Sequence, residues 1–431
     1  MSAVGSAARS TQPASAWLRG IAPWVLFALA LAVAPLLFRS GTSLTMLSIM
    51  GLSIVFALSY NMLLGQTGLL SFGHAVYYGL GGFIAIHVMN AIVRNKYAVS
   101  LPLVPLFGGL AGLFFAVIFG SVSTRRAGTV FSMISLGLGE LVASSALILR
   151  TFFGGEEGIT ANRSQLAPFL GYKFGPQIEV YYLIAVWCFV CVLAMYALTR
   201  TPFGRMCNAV RENPERAQFV GYSPYVVRFI AFCFSGFFAG VAGALAALNF
   251  EIMNTQSIGA AQSGLVLLMT FVGGVGAFIG PIIGAVLIAY LQITLSDITG
   301  AWMLYFGLLF IIVVMYSPGG IAGWLALHEP VLRGGQLGRL IPSYALAALP
   351  LILVAAGLVA LIELAHHALV VSQTEGPAMR LFGVPTSSAS PLAWAAALLF
   401  LAAGVVGLRL VWPKVQDAWG AALAGVAARP A

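Results

Sequence analysis

Long apolar runs, separated by short polar or glycine- and proline-bearing stretches, fill this chain from end to end. A helix that crosses the hydrocarbon core needs about 20 mainly apolar residues. Runs of that length mark spans near 21–38, 44–64, 66–92, 101–122, 129–150, 178–198, 229–250, 301–316, 343–369 and 391–411. A further glycine-rich apolar stretch covers 264–296. At about 1.5 Å per residue it extends roughly 50 Å, too long for one upright span and tight for two. The pattern predicts an all-α, polytopic transmembrane helical bundle with glycine-interrupted helices, about 10 core spans plus 2 C-terminal spans.

Lys and Arg accumulate in cytoplasmic connections near helix ends. The densest basic connection is 199–228, with Arg200, Arg205, Arg211, Arg216 and Arg228, and it is expected in the cytoplasm. That choice also puts Arg125, Arg126, Arg333, Arg339, Arg409, Lys414 and both termini inside, 14 basic residues against 7 outside. Keeping 251–262 outside and 317–342 inside requires an odd number of crossings, so 264–296 must hold two short, broken or half-length spans and 301–316 a third. The first run follows Arg9 and Arg19 and contains Ala32-Val33-Ala34, a superficial signal-peptide cleavage site. Pro35 directly after it argues against cleavage, and the run reads as a retained helix.

Composition sharpens this picture. With 60% hydrophobic and 8% charged residues, against roughly 25% charged in a soluble domain, few charges are available to coat a globular surface. The 49 glycines and 20 prolines lie inside apolar runs, which excludes collagen and flexible linkers. Cys188 and Cys191 lie three apart in one such run, and with Cys207 and Cys233 they read as small apolar helix residues, since a metal site needs more ligands. The longest polar stretches, 154–177 and 199–228, leave no room for a second globular domain. The phosphate-binding pattern G-x-x-x-x-G-K-[ST] needs a lysine, and none of Lys96, Lys173 and Lys414 follows such glycines, so a nucleotide-hydrolysing domain is not expected. A membrane enzyme is disfavoured because no nucleophile–base pair or metal-ligand cluster falls on one predicted helix face.

Two glycine-rich segments interrupt apolar runs, one in each half: Gly65-Gln66-Thr67-Gly68-Leu69-Leu70-Ser71-Phe72-Gly73-His74, and Gly273-Gly274-Val275-Gly276-Ala277-Phe278-Ile279-Gly280-Pro281. Irregular backbone at membrane depth is tolerated where it packs in protein or lines a wet cavity, and paired interruptions point to a transporter's path. Small residues also allow plain close packing of helices. The polar density of the first segment makes Gln66, Ser71, His74 and Tyr77 path-lining candidates, beside Gly273, Gly274, Gly276, Gly280 and Pro281. Ionisable residues inside a span are costly and often functional. Glu140 is the deepest such carboxylate, beside a small-residue stripe of Gly128, Ser132, Ser135 and Gly139, and it either lines a path or stabilises the bundle. Asp297, Glu363, His366 and His367 read as solvated edge groups, which weakens the case for a self-sufficient proton- or sodium-driven carrier.

The basic connection predicts two short helices, about 203–212 and 214–220. Asn213 is a good N-cap, Pro214 suits the first turn, Glu215 favours the positive end of the dipole, and Gly221 is placed to stop the helix. A capped, charged, short helix between two spans has the shape of an element that docks into a groove on a soluble subunit.

Taken in order, the run 65–74, Arg126-Ala127-Gly128 leading to Glu140, Thr201-Pro202-Phe203-Gly204-Arg205, Arg211-Glu212-Asn213-Pro214, Gly273 to Gly276 with Gly280-Pro281, and Ser317-Pro318-Gly319-Gly320-Ile321-Ala322-Gly323 resemble a known family. It is that of inner-membrane permease subunits of branched-chain amino acid ABC uptake systems, and the likeness is to the second of the two paralogous permeases. Glu215, Ala217 and Gly221 look like the E-A-A…G loop by which such permeases engage the ATPase, with Arg216 in place of the middle alanine. The resemblance implies a second homologous permease, two ATP-binding cassette subunits, a periplasmic solute-binding protein and residence in the bacterial inner membrane. It implies no catalytic residue, metal, cofactor or nucleic acid for this chain, with ATP and Mg on the partner ATPase subunits. The coupling loop would comprise Phe203, Gly204, Arg205, Arg211, Glu212, Asn213, Pro214, Glu215, Ala217 and Gly221. Branched-chain amino acids are the expected substrates. The alternatives are a permease for urea, short amides or aromatic acids, and an ATPase-independent secondary carrier or channel. The chain divides into a tail and first helix (1–39), a permease core (40–325) holding the loop 199–228, and a C-terminal extension (326–431) with two probable spans and no evident mechanism.

Overall fold

The computed structural model describes residues 14–97, 99–317 and 319–427, with side chains from residue 21 to 426. Arg9, the Arg19 side chain and Pro318 lie outside the described residues. Among the described residues, nine helices are long and apolar enough to cross a membrane, or ten with one bent pair, beside shorter apolar helices at Ile21–Leu37 and Ala260–Gly273. The described residues form two compact units that divide between Thr270 and Phe271.

The first unit contains α1 (Ala14–Leu37), α2 (Gly41–Thr67), α3 (Ala75–Asn95), α4 (Val104–Ser123), α5 (Thr129–Ile148), α6 (Gln177–Arg200), α7 (Pro202–Glu212), α8 (Pro214–Phe219) and α9 (Pro224–Phe250). Helix α10 (Ala260–Gly273) follows. Helices α2, α3 and α9 form the centre, with 78%, 67% and 72% of their apolar windows buried, whereas α5 buries only 28%. In lipid, apolar side chains gain little by leaving hydrocarbon for a protein interior, so close contact between small residues holds helices together. Here α3, α4 and α9 meet through glycine: a Cβ at Gly81 or Gly112 would strike the backbone of Gly240, and one at Gly240 the carbonyl of Gly108. The Ser235 hydroxyl of α9 donates to the Ser59 carbonyl of α2 at 2.6 Å, satisfying a polar group that lipid could not.

The connection 154–177 is tied down by Arg163, which sequence reading passed over. Its guanidinium, 8% exposed, donates to the carbonyls of Phe174, Leu248 and Asn249 at 3.0, 2.7 and 3.1 Å, while its backbone N–H donates to the Glu251 carboxylate at 2.8 Å. Leu248 and Asn249 sit in the last turn of α9, where carbonyls have no partner within the helix. Burial pulls the guanidinium's pKa down and Glu251 opposes that shift. Strand β1 (Ile159–Thr160) pairs antiparallel with β2 (Ile252–Met253) beside this clamp.

The second unit holds α11 (Gly280–Ile298), α12 (Trp302–Tyr316), α13 (Gly320–Arg333), α14 (Leu337–His366) and α15 (Pro391–Ala427). The glycine-rich stretch 264–296 divides as the topology required: α10 stops at Gly273 and α11 starts at Gly280. The 14 residues of α10 extend about 21 Å, short of a hydrocarbon core of about 30 Å. In the break, Gly274 and Gly276 take φ of +118° and +93°. Gly274 touches a second glycine bend, because a Cβ at Gly320, itself at φ +58°, would overlap the Gly274 backbone. The C-terminal pair departs from expectation in three ways. Helix α15 runs 16 residues past the predicted end at 411, a hairpin of β3 (Ala378–Leu381) and β4 (Val384–Ser387) fills the polar connection, and Tyr305 of α12 donates to Glu363 of α14 at 2.8 Å. Glu363 is therefore a paired, half-buried group, as is His367, bonded to the Ser388 hydroxyl; the reading of both as solvated edge groups is corrected.

Gly320→Ala should destabilise the protein by about 1–3 kcal/mol, from positive φ and backbone overlap together. Gly323→Ala, where a Cβ meets open space, should leave stability level or raised. Thermal unfolding of the two variants in detergent checks the contrast.

Candidate functional site

The connection 199–228 folds as a small module with its own core of Cys207, Val210, Ala217, Val227 and Ala231, against which Phe203 and Met206 pack. Burial pushes the Cys207 thiol up to about 12, so it serves as a small apolar residue. Thr201 caps α7 and Asn213 caps α8, its Oδ1 accepting from the Arg216 N–H at 3.0 Å, with Pro202 and Pro214 in the first turns. Gly221 at φ +91° ends α8, its N–H donating to Gln218 while that of Tyr222 returns to Ala217. Gly204 lies so close to Thr199 that a Cβ would strike its carbonyl. Glu215, Arg205 and Glu212 face outward, whereas Ala217 faces the module's core. The outward tip is apolar, Phe219 being 90% and Val220 74% exposed. Sequence reading missed these two; their signal was an apolar pair at the end of an otherwise polar helix, just before the glycine stop.

Arg211 links this module to the spans. Its guanidinium donates to the Gly65 carbonyl, one of the last-turn carbonyls of α2 that the helix cannot satisfy, and its side chain lies over Gly68. The glycine run from 65 to 74 therefore does not interrupt a span, as its composition implied. Gly65, Gln66 and Thr67 finish α2, Gly68 at φ +73° caps it, and 69–74 threads inward to α3. A run that is neither helix nor strand needs external partners for its backbone. Ser132 of α5 donates to the Leu70 carbonyl at 2.8 Å, Ser135 accepts from the Phe72 N–H at 3.0 Å, and Tyr60 of α2 donates to the Ser71 carbonyl at 3.0 Å. The Ala75 N–H reaches the Ser263 hydroxyl of α10 at 3.0 Å. Gly73 and Gly139 meet without side chains, so the predicted stripe of Ser132, Ser135 and Gly139 is the face that grips this segment. Ser71, His74 and Tyr77 are all buried, and Gln66 is half-buried. His74 stands among Phe56, Tyr60 and Tyr77. Because the Ser59 hydroxyl already donates to Phe56, it accepts from His74 Nε2 at 3.0 Å, leaving Nδ1 without a partner, like the Ser71 hydroxyl.

Residues 42–316 match the family described as branched-chain amino acid transport system / permease component. The chain belongs to this family. It is 28% identical over 331 residues to the high-affinity branched-chain amino acid transport system permease protein LivM of Escherichia coli (strain K12), covering 71% of this chain and 75% of that one. It is 24% identical over 282 residues to the permease protein BraD of Pseudomonas aeruginosa, named for the same transport system, covering 62% and 90%. A nucleoside ABC transporter permease protein, NupC of Lactococcus lactis, is 27% identical over 195 residues, covering 40% of this chain and 58% of that one. No solved structure matches the chain. It is a multi-pass membrane permease subunit of an ATP-driven importer.

Within this permease the remaining candidates separate. Glu140 is exposed on α5, about 100° around the helix from the Gly139 side of the gripping stripe. Gly273, Gly274, Gly276, Gly280 and Pro281 gather at the α10–α11 break, where a Cβ on Gly273 would strike the Gly280 carbonyl and Pro281 takes the first turn of α11. They belong to the second unit, and the Gly65–His74 segment belongs to the first.

Gly73→Ala, which drives a methyl into the Ser135 carbonyl, should lower the melting temperature by several degrees. Gly137→Ala on the open face of α5 should leave it level or raise it. A Gly73→Ala permease as stable as wild type would show that the segment is not held by α5.

Proposed function

We propose that this permease is the second of two paralogous membrane subunits of an importer for branched-chain or related amino acids, assembled with two ATP-binding cassette subunits and a periplasmic solute-binding protein. ATP and Mg act on the cassette subunits, and this chain holds no cofactor of its own. In this reading 199–228 and both termini face the cytoplasm, in keeping with the 14-to-7 basic bias. The substrate class rests on relatives named for branched-chain amino acid transport. The name of NupC marks nucleosides as a second class the same scaffold serves.

The observation that carries the mechanism is the continuity from Phe219 through Arg211 to Gly65. An ATPase groove closing on Phe219 and Val220 moves a module that is braced by its own core. The Arg211–Gly65 bond hands that movement to the end of α2, and so to the 69–74 segment and α3, where Ser132 and Ser135 grip. Such coupling needs a contiguous route, and the contacts from the 199–228 module through Arg211 to Gly65 support this reading.

Two variants separate docking from transmission. Phe219→Ala should cut co-purification with the ATPase subunits about tenfold or more, as loss of a central apolar anchor does. Arg211→Ala should keep the ATPase bound and hydrolysing while ATP-driven leucine uptake into proteoliposomes collapses. Uptake that runs on an ion gradient alone, without bound ATPase, would sink the importer reading in favour of a carrier.

A further inference from the structure

Helices α13, α14 and α15 enclose an open cavity of about 570 Å³ within the second unit, outside the residues that match the family. Its height in the membrane follows from where charge begins. On α15 the residues from Pro391 to Leu408 carry none, and Arg409, Lys414 and Asp417 follow; on α14 those from Leu340 to Ile362 carry none, with Arg339 just before; on α13 the first is Glu329. The cavity straddles this boundary, with Leu351 and Leu408 on the apolar side and Trp419 on the charged side. Tryptophan and tyrosine collect at the water–lipid boundary of membrane proteins, and Trp324, Tyr344, Trp412 and Trp419 all line the wall.

The polar groups of that wall are spent on one another. The Trp324 carbonyl can only accept, so His328 Nδ1 donates to it at 2.8 Å, and Nε2 of the neutral ring accepts from the Tyr344 hydroxyl at 2.8 Å, which in turn accepts from the Trp419 indole. The Trp324 and Trp419 rings also lie against the imidazole, at 4.0 and 4.9 Å between centroids. What this closed chain leaves facing the cavity is hydrocarbon and aromatic surface, with Trp324 and Trp412 each 53% exposed and Leu351 59%. An apolar hollow that opens where acyl chains meet headgroups suits the chain of a lipid, which gains with every CH₂ it buries. The charges nearby select the headgroup. Arg333 and Glu329 pair with each other, which leaves Arg339, Arg409 and Lys414 against Asp417. Arg409 lies only about 20° around α15 from the lining Gln416, and basic pockets between spans bind anionic headgroups. We propose that the cavity seats one acyl chain of an anionic phospholipid, with Arg409 beside its phosphate, so that the C-terminal extension is a lipid-holding module. The inference needs only a membrane-spanning chain and is independent of the solute carried.

The test is native mass spectrometry of the full-chain permease in its complex, held in mild detergent and titrated with dioleoyl phosphatidylglycerol or dioleoyl phosphatidylcholine. Wild type should retain one phosphatidylglycerol about tenfold or more tightly than phosphatidylcholine, and Arg409→Gln should narrow that preference about fivefold, the weight of one basic residue at an anionic surface. Ala347→Trp, which fills the hollow, should lose the bound lipid, while Leu410→Trp on the far side of α15 should keep it. Undiminished lipid in Ala347→Trp, or equal affinity for the two lipids, overturns the inference. So does a wild-type complex that takes no lipid while a Leu351→Cys permease cross-links to a second protein subunit, the sign that protein covers the hollow. Should Ala347→Trp fail to fold, brominated lipids decide in vesicles of unlabelled phosphatidylcholine. A small fraction of brominated phosphatidylglycerol should quench tryptophan emission several times more than the same fraction of brominated phosphatidylcholine, and Trp412→Phe should remove most of that difference. Equal quenching by the two lipids overturns the inference as well.

Discussion

A helix ends with carbonyls it cannot satisfy, and in this permease one of those vacancies joins the 199–228 module to the membrane-spanning helices. The carbonyl is that of Gly65 and the donor is Arg211, which comes from another helix far along the chain. Arginine suits the task because its guanidinium carries several donors in a fixed fork, which can reach a backbone carbonyl as well as a carboxylate. The Leu63 and Leu64 carbonyls are met by the Gly68 and Leu69 N–H groups, and Arg211 meets that of Gly65, next to a segment that is itself neither helix nor strand. The grip of Ser132 and Ser135 on 70–72, the burial of His74 and the start of α3 all presuppose that α2 ends where it does.

Much of the architecture was legible because lipid leaves few choices. Every long apolar run had to be a helix, and the parity of basic connections forced the 264–296 stretch to divide, which it does between Gly273 and Gly280. The capped pair around Asn213 was equally readable, since Asn, Pro and Gly act locally through the backbone and owe little to the rest of the fold. The small-residue stripe on α5 was visible too, though not what it grips.

What escaped notice depended on contacts between distant parts of the chain. Arg163 looks like one polar residue among many until the end of α9 arrives beside it. The boundary in the Gly65–His74 run lay a few residues later than composition implied, because Gly68, not Gly65, adopts the left-handed turn. Ala217 turns inward, and the exposed end of its helix is Phe219 and Val220, whose exposure only the packed module reveals. The 378–387 hairpin hid in a polar stretch with no clear alternation.

The Arg163 clamp has a mechanical meaning of its own. By holding the end of α9 and the connection 154–177 with one side chain, it removes the slack between a long exposed segment and a central, deeply buried helix. Force applied to that connection is not absorbed by a flexible tether. It reaches the axis of α9 directly, and through the Ser235–Ser59 bond it reaches α2, whose other end Arg211 holds. The connection 154–177, α9, α2 and Arg211 are thus joined within the first unit by one line of side-chain bonds to backbone carbonyls.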